Sequence, residues 1–448
     1  MVRILLVRPR RMDLMTAFGG ITCEPLELET LLPVCRQVGR TELYDGITEE
    51  RRFTDVLLAF RPDVMALTGY LTQEREMAEY IRLTKRARPA CTVIVGGVHA
   101  QLNYRRLCWP GVDYVFRTES ADWFRSLLEA LDRGEMPIGI PGLCRREGGR
   151  FVETPYEPCD IDTLPRPDRS GWAERADWFR YLDFARLSTL KTAVSCPFRC
   201  EFCYGRNLHG GRYQPRRLEL VMEELEEVPG DTVFIVDSDF LLEETRVEAF
   251  LDALEERGIR KTFLCYGRAD FIAGHPALTA RLCRCGFRLF LVGLEGIRDQ
   301  RLEAWNKGTT REINEACLQV LNACGADCMG LLLADPDFTA ADFQALYRWA
   351  KEHGLRYTSV QVLTPIPPTP LYERKKGELL SNDLRQWDLA HLLLEPVHMG
   401  RRVFMLRYYW LMARLVLLGW RRGAYHFVTP AYLGRAVGRW RRRRAALR

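Results

Sequence analysis

The chain has 448 residues, 47% hydrophobic and 28% charged, with fifteen cysteines. This is ordinary for a soluble globular protein of two or three domains. A disulfide framework belongs to short secreted chains, and the start, Met-Val-Arg-Ile-Leu-Leu-Val-Arg-Pro-Arg, is too short and charged for a secretory leader. The net charge of +6 is the difference between +13 in residues 401–448, which hold thirteen arginines and neither lysine nor acid, and −7 in the rest.

Residues 1 to about 135 alternate apolar runs with helical stretches. Strands are expected at Arg3–Val7, Thr41–Tyr44, Asp63–Thr68, Thr92–Val95 and Asp113–Arg117, and helices at Pro25–Val38, Glu49–Phe60, Glu74–Ala87 and Ala121–Leu131. The pattern predicts an α/β, doubly wound parallel sheet covered on both faces. Its ligand is expected beyond the C-terminal strand ends, which carry Thr68-Gly69-Tyr70-Leu71-Thr72, Gly96-Gly97-Val98-His99-Ala100 and Arg117-Thr118-Glu119-Ser120. The first strand is not followed by GxGxxG, so a dinucleotide fingerprint is excluded. Residues 136–187, with turn signals and prolines such as Leu164-Pro165-Arg166-Pro167, read as an interdomain linker.

From Ser188 to about Leu371 the alternation resumes. Strands Leu190–Val194, Thr232–Val236, Thr262–Tyr266, Phe287–Leu294, Cys328–Ala334 and Thr358–Leu363 alternate with helices that include Leu218–Glu227, Arg246–Gly258, Leu278–Cys285 and Ile313–Ala323. Six β/α units predict a partial TIM-like barrel over residues 188–375 with its chemistry at the C-terminal mouth. That mouth carries Asp237-Ser238-Asp239, Arg268-Ala269-Asp270, Glu295 and Thr364-Pro365.

After the first of these strands comes Cys196-Pro197-Phe198-Arg199-Cys200-Glu201-Phe202-Cys203, a CxxxCxxC loop. Three thiolates on one short loop can bind three irons of a [4Fe–4S] cluster, leaving the fourth iron open to a small ligand, which is a catalytic arrangement. Zinc sites usually take a second cysteine pair or another fourth ligand, and no such pair stands at that spacing. Cys283, Cys285, Cys317, Cys324 and Cys328 lie beside apolar residues and read as small hydrophobes; an auxiliary cluster is the alternative.

The cysteine loop resembles that of the radical S-adenosylmethionine (SAM) enzymes. The order of cysteine loop, polar strand end, Arg-x-Asp, Gly-Leu-Glu, Lys-Gly-Thr-Thr and Thr-Pro-Ile-Pro-Pro-Thr-Pro is similar to their cobalamin-dependent branch over roughly residues 1–375. The Gly-Gly-x-His at Gly96–His99 resembles that branch's cobalamin-binding domain, and Glu119 is what remains of a Gly-Glu-Gly-Glu-like segment. The Asp-x-His-x-x-Gly that supplies an axial histidine in other cobalamin proteins is absent.

The resemblance implies a cluster on Cys196, Cys200 and Cys203. It implies cobalamin over residues 1–135, held at Thr68, Gly69, Tyr70, Leu71, Thr72, Gly96, Gly97, His99, Ala100, Arg117 and Glu119, with a cofactor-free flavodoxin-like domain as the alternative. It implies SAM at the barrel mouth: Phe202 against the adenine, Ser238 and Asp239 on the ammonium, Glu295 on ribose hydroxyls or the ammonium, Arg268 forking a carboxylate, and Thr364 at the last strand end. For each, a satisfied charge at the barrel rim is the plainer reading. Tyr204, Tyr266 and His209 are expected to face substrate or a proton.

Within residues 376–448, a helical basic region, Met405–Trp420 is too short and charged to span a bilayer. Its wide apolar face, flanked by arginine and tryptophan, predicts contact with an anionic membrane surface; a helix packed on the barrel is the alternative. A nucleic-acid role has no supporting motif.

The resemblance implies a methyltransferase. SAM methylates cob(I)alamin, a second SAM yields a 5′-deoxyadenosyl radical that abstracts a substrate hydrogen, and the carbon radical takes the methyl. The alternatives are a cyclase or ring-rearranging enzyme without net methylation, and a non-catalytic cofactor-binding protein. The expected partners are a large apolar or lipid-like small molecule and an external electron donor, in the cytoplasm and peripheral to the membrane.

Overall fold

The computed structural model describes residues 1–10 and 20–445. The chain divides into two compact units. The first holds Met1–Leu187, Asn207–Arg217 and Val428–Arg448; the second holds Ser188–Arg206 and Leu218–Phe427.

In the first unit, β1 (Arg3–Arg8), β2 (Arg40–Asp45), β3 (Val64–Thr68), β4 (Thr92–Gly96) and β5 (Tyr114–Phe116) form the parallel part of a seven-stranded sheet, in the order β2-β1-β3-β4-β5. Between them run α1 (Leu26–Val38), α2 (Phe53–Phe60), α3 (Glu74–Ala87) and α4 (Val98–Asn103), and α5 (Ala121–Asp132) follows. Leu5 and Val7 enter one apolar cluster while Ile4 and Leu6 enter another. The strand is therefore apolar at every position from Ile4 to Val7 because both faces are covered.

Two expectations change here. Helix α2 starts at Phe53, four residues after the expected Glu49. The Asp45 carboxylate takes the Ile47 amide and the Thr48 hydroxyl, and the Glu49 carboxylate takes the Arg51 amide. These local bonds offer the backbone an alternative to a helical turn. The expected linker at 136–187 is part of the first unit, and it contains β6 (Leu143–Glu147) and β7 (Arg150–Glu153). This antiparallel hairpin extends the sheet beyond β5. Its two-residue loop is Gly148-Gly149, both at positive φ, the geometry that hairpin loops of this length require.

In the second unit, β8 (Leu187–Leu190), β9 (Thr232–Ile235), β10 (Thr262–Gly267), β11 (Phe287–Glu295), β12 (Asp327–Ala334) and β13 (Tyr357–Val362) lie side by side in chain order. The β9–β13 pairings are parallel. The intervening helices include α6 (Leu218–Glu227), α7 (Glu244–Glu256), α8 (Ala269–Gly274), α9 (Pro276–Arg284), α10 (Asp299–Ala304), α11 (Arg311–Ala323) and α12 (Ala340–Glu352). This is a six-stranded partial barrel, with α13 (Pro370–Lys375), α14 (Arg401–Arg421) and α15 (Pro430–Ala445) following in the chain. All fifteen cysteines are free thiols. Cys283, Cys317 and Cys328 lie in the barrel core with Cys285 and Cys324 at its margin, as small hydrophobes do.

Candidate functional site

The cysteine loop is fixed at both ends within the second unit. Before it, the buried Asp237 carboxylate accepts the Thr192 and Ala193 amides at 2.7 and 3.0 Å and the Thr192 hydroxyl. Burial pushes Asp237 up to about 6, against the pull of the Thr192 hydrogen bonds. Ser195 then turns the chain into the left-handed region at φ 64, and its hydroxyl donates to Arg206 O at 3.1 Å, tying the two ends together. Along the loop, Asn306 Nδ2 donates to Arg199 O, Glu201 N to Trp305 O and Leu371 N to Glu201 O, each at 3.0 Å. Cys196 and Cys200 are half-buried and Cys203 is exposed.

Charges converge on these thiols. Burial pushes the Cys200 thiol up, and Lys307 and Arg268 pull it back toward thiolate. The Lys307 ammonium is buried and pairs with Glu295 at 3.0 Å. Arg268 stacks its guanidinium 3.8 Å from the centre of the Phe198 ring, inside the cysteine loop. Its fork, expected for a ligand carboxylate, is committed elsewhere: Nε and Nη2 donate to Asp270, and Nη2 also to Lys307 O at 2.9 Å. Arg268 thus braces the loop against the Lys307 turn. Glu295 sits at φ 57 where the β11–β12 register shifts, and its Oε1 is already taken by Lys307. Lys307 was missed as a candidate; the signal for it is the lysine of the Lys-Gly-Thr-Thr segment.

Asp239 is different. It is 5% exposed, and no hydrogen bond reaches either carboxylate oxygen among the described residues. Burial pushes it up to about 7, with Arg268 and Lys307 pulling down. A buried carboxylate without a partner costs stability unless a ligand supplies the donors. The other mouth residues are placed as follows. Ser238 is exposed, and a Cβ on Gly205 would lie 3.4 Å from its Oγ. Phe202 is half-buried, edge-on to Trp305 at 6.2 Å, so the ring expected on an adenine is partly engaged already. Tyr266 is half-buried in β10, its ring 5.4 Å from Phe234. Tyr204 is half-buried just after the loop. Thr364 is buried beyond β13 and donates to Val362 O at 2.9 Å.

The first unit gathers its predicted residues at the C-terminal ends of β3, β4 and β5. Thr68 pairs with Gly96 across the sheet. Gly97 follows at φ 85, and a Cβ there would collide with Thr68 Oγ1. Gly69 is equally confined, by Met77. At Gly97 and Gly69 the missing side chain lets Thr68 and Met77 pack directly against the strand-end backbone, while a Cβ on Gly96 would meet only Phe116 O at 3.6 Å, so the backbone there stays accessible. Tyr70 is exposed, and Leu71 and Thr72 form a half-buried 3-10 turn with Gln73.

Three of the expected contacts are occupied by the protein itself. His99 is buried with its Nε2 2.8 Å from Glu74 Oε1, and Ala100 beside it is fully buried. Burial pushes the Glu74 carboxyl up, but hydrogen bonds to His99 and Arg106 outweigh it and leave the group below its ordinary range. Arg117 lies 4.1 Å from the centre of the Tyr104 ring and donates to Thr154 O at 2.8 Å, so it braces the β6–β7 hairpin. Glu119 meets the fully buried His209, Nδ1 at 3.2 Å, and the Tyr156 hydroxyl at 3.5 Å. His209, expected to face substrate, is held inside the first unit.

The donor sets fit the implied groups. Three free thiols on one loop suit three irons of a cluster, the unpartnered Asp239 suits an ammonium, and the glycine-lined strand ends suit a flat ligand approaching backbone.

Comparison with known proteins agrees. The radical SAM superfamily profile matches residues 190–350, and the B12 binding domain profile matches residues 14–128. The chain is 26% identical over 381 residues to the hopanoid C-3 methylase of Methylococcus capsulatus, covering 83% of this chain and 72% of that one. It is 26% identical over 341 residues to the bacteriochlorophyllide d C-8(2)-methyltransferase of Chlorobaculum tepidum, covering 72% and 70%. In fold it is similar to the radical SAM methyltransferase TsrM of Kitasatospora setae, at TM-score 0.71 and 19% identity over 96% of this chain and 90% of that one. It is also similar to the cobalamin-dependent SAM radical enzyme OxsB, at TM-score 0.73 and 17% identity, covering 92% of this chain and 66% of that one, just under two thirds. With a B12-binding unit ahead of a radical SAM unit and an intact three-cysteine loop, the chain belongs to the cobalamin-dependent radical SAM enzymes.

Proposed function

We propose that this enzyme transfers a methyl group by way of cobalamin to an unactivated carbon of a small-molecule substrate, large, apolar and lipid-like. The observation that carries this reading is the unpartnered, buried Asp239 beside the arginine and lysine that flank an open three-cysteine loop. Relatives named as hopanoid and bacteriochlorophyllide methylases support methylation over other outcomes.

Cys196, Cys200 and Cys203 would hold the cluster, Asp239 the SAM ammonium, and the Thr68–Gly69 and Gly96–Gly97 strand ends the cobalamin. Bound there, these groups supply hydrogen abstraction from carbon and a transferable methyl group. The chain's own residues orient and shield. Asp237 and Ser195 fix the ends of the cysteine loop, and Arg268 ties Phe198 to the Lys307 turn. The Lys307 ammonium adds a positive charge close to Cys200. Such preorganisation lets the protein act without rearranging at the moment of reaction. In this reading the partners are the substrate, an external electron donor and, through the basic C-terminal helix, a membrane surface, with the enzyme in the cytoplasm.

The test is anaerobic reconstitution followed by incubation with SAM and a strong reductant. Four irons and one cobalamin per chain, with 5′-deoxyadenosine and S-adenosylhomocysteine accumulating together, is the expected result. 5′-Deoxyadenosine alone would replace methylation with a cyclase. Iron without cobalamin would remove the cobalamin assignment.

A further inference from the structure

Helix α14 carries apolar residues on both its inner and its outer face, interrupted by the half-buried Arg407 and Arg414. By length and composition it could cross a membrane, yet its inner face is committed to the barrel. Phe404, Tyr408, Leu411 and Leu415 belong to the barrel core. The Tyr408 hydroxyl donates to Val360 O at 2.9 Å. Phe404 meets Phe343 edge-on at 5.2 Å, and a Cβ on Gly419 would collide with Arg356 O. A helix fixed in this way cannot leave to span a bilayer without tearing open the core.

Its other face is bare. Val403, Leu406, Trp410, Ala413, Leu417 and Trp420 recur at intervals of three and four residues, and all are exposed. Leu406 is 70%, Trp410 66% and Trp420 64% exposed, with Tyr409 and Val416 alongside. A contiguous apolar stripe of this kind marks a contact surface.

The charge around the stripe selects the occupant. Arg402 and Arg421 are exposed at its two ends, and residues 401–448 hold no acidic side chain. A second copy docked on the same stripe would set the arginines of one helix against those of the other, and the exposed Glu395 near the helix start is already paired with Arg401. An anionic lipid surface supplies the opposite charge to the arginines and an apolar layer to the stripe, and tryptophan is favoured at that depth.

We propose that the outer face of α14 lies flat on an anionic lipid bilayer. The inference stands apart from the methyl-transfer reading, because vesicle binding reports the one and reaction products the other. Full-length protein is mixed with phosphatidylcholine vesicles, with or without phosphatidylglycerol, and sedimented. Binding is expected only with the anionic lipid and is expected to weaken with salt. Trp410→Ala/Trp420→Ala and Leu406→Asp should each lower vesicle affinity at least ~10-fold, and Arg402→Gln/Arg421→Gln should flatten the salt dependence. All these positions are exposed, so the melting temperature should not move. Equal binding to neutral vesicles, or none to either, overturns the proposal. So does a concentration-dependent dimer that Leu406→Asp dissociates, which would assign the stripe to a second copy.

Discussion

Lys307 Nζ lies 3.0 Å from Glu295 Oε1, and both side chains are about 9% exposed. Gly293 faces them so closely that a Cβ there would come within 2.5 Å of each partner atom. Burial pushes the ammonium down, while Glu295 and Cys200 outweigh it and hold the charge on Lys307. The β11 end is therefore built around an ion pair, and the residue opposite must be glycine for the pair to fit.

Breaking one side of that pair should cost more than removing both. Lys307→Met leaves a buried carboxylate alone, which typically costs about 3–5 kcal/mol. Glu295→Gln/Lys307→Met should recover much of that loss. A double-mutant cycle by urea unfolding measures the coupling, and additive losses would show that the pair does not act as one.

Asp239→Asn should separate stability from binding. The neutral amide removes the burial penalty of an unpartnered carboxylate, so the melting temperature should hold or rise. SAM affinity should fall about 10- to 100-fold, the worth of one charge-assisted hydrogen bond. Iron per chain should not change. Titration of the reconstituted enzyme with SAM, alongside iron analysis, checks all three.

Arg8 and Asp45 form a second buried pair, with Nε–Oδ1 at 2.7 Å and Nη2–Oδ2 at 2.8 Å. Burial pushes Asp45 up, but Arg8 and the Thr48 and Ile47 hydrogen bonds outweigh it, and the carboxyl ends below its ordinary 3.8. A depressed value means this contribution is present above the unfolded-state value and is lost as pH falls through the folded one. Asp45→Asn should destabilise the first unit by about 3 kcal/mol at neutral pH. The gap from the parent chain should narrow below about pH 4, as urea unfolding across pH will show.

Gly97→Ala should lower the cobalamin retained after reconstitution. It adds a Cβ at φ 85 and drives it into Thr68 Oγ1; left-handed backbone alone costs about 1–2 kcal/mol. Gly97→Ala/Thr68→Ala removes the collision and leaves the backbone cost, so it should recover part of the cobalamin. Cobalamin per chain, read optically on folded protein, decides it.

Most of this architecture was legible because it rests on period and punctuation. Helices Glu74–Ala87 and Leu218–Glu227 agree to the residue with their apolar spacing, and five of the six barrel strands sit where apolar runs end in polar residues. The first lies at Leu187–Leu190, three residues before the expected Leu190–Val194, because the Asp237 carboxylate takes the Thr192 and Ala193 amides beyond it. The cysteine loop announces itself by spacing alone. The hairpin at Leu143–Glu153 was not legible as part of the sheet, since its strands are mostly charged and only Gly148-Gly149 marks the turn. Arg117 and His209 were read as free to meet ligands because nothing local shows their partners; Arg268 has one partner close by in Asp270, two residues on, and another in the Lys307 carbonyl, which no local pattern shows. The distant partners, Lys307, Thr154 and Glu119, stand 37 to 90 residues away in the chain.

The chain passes from one unit to the other four times, at 187/188, 206/207, 217/218 and 427/428. No single cut yields either unit whole. A truncation meant to isolate the barrel would strand residues 207–217, together with the His209 that belongs to its counterpart. For heredity this is a constraint: exchanging the first unit by recombination would mean replacing three separated stretches at once. A swap of the first unit between related enzymes therefore has to carry residues 207–217 with it, so that His209 keeps its place beside Glu119.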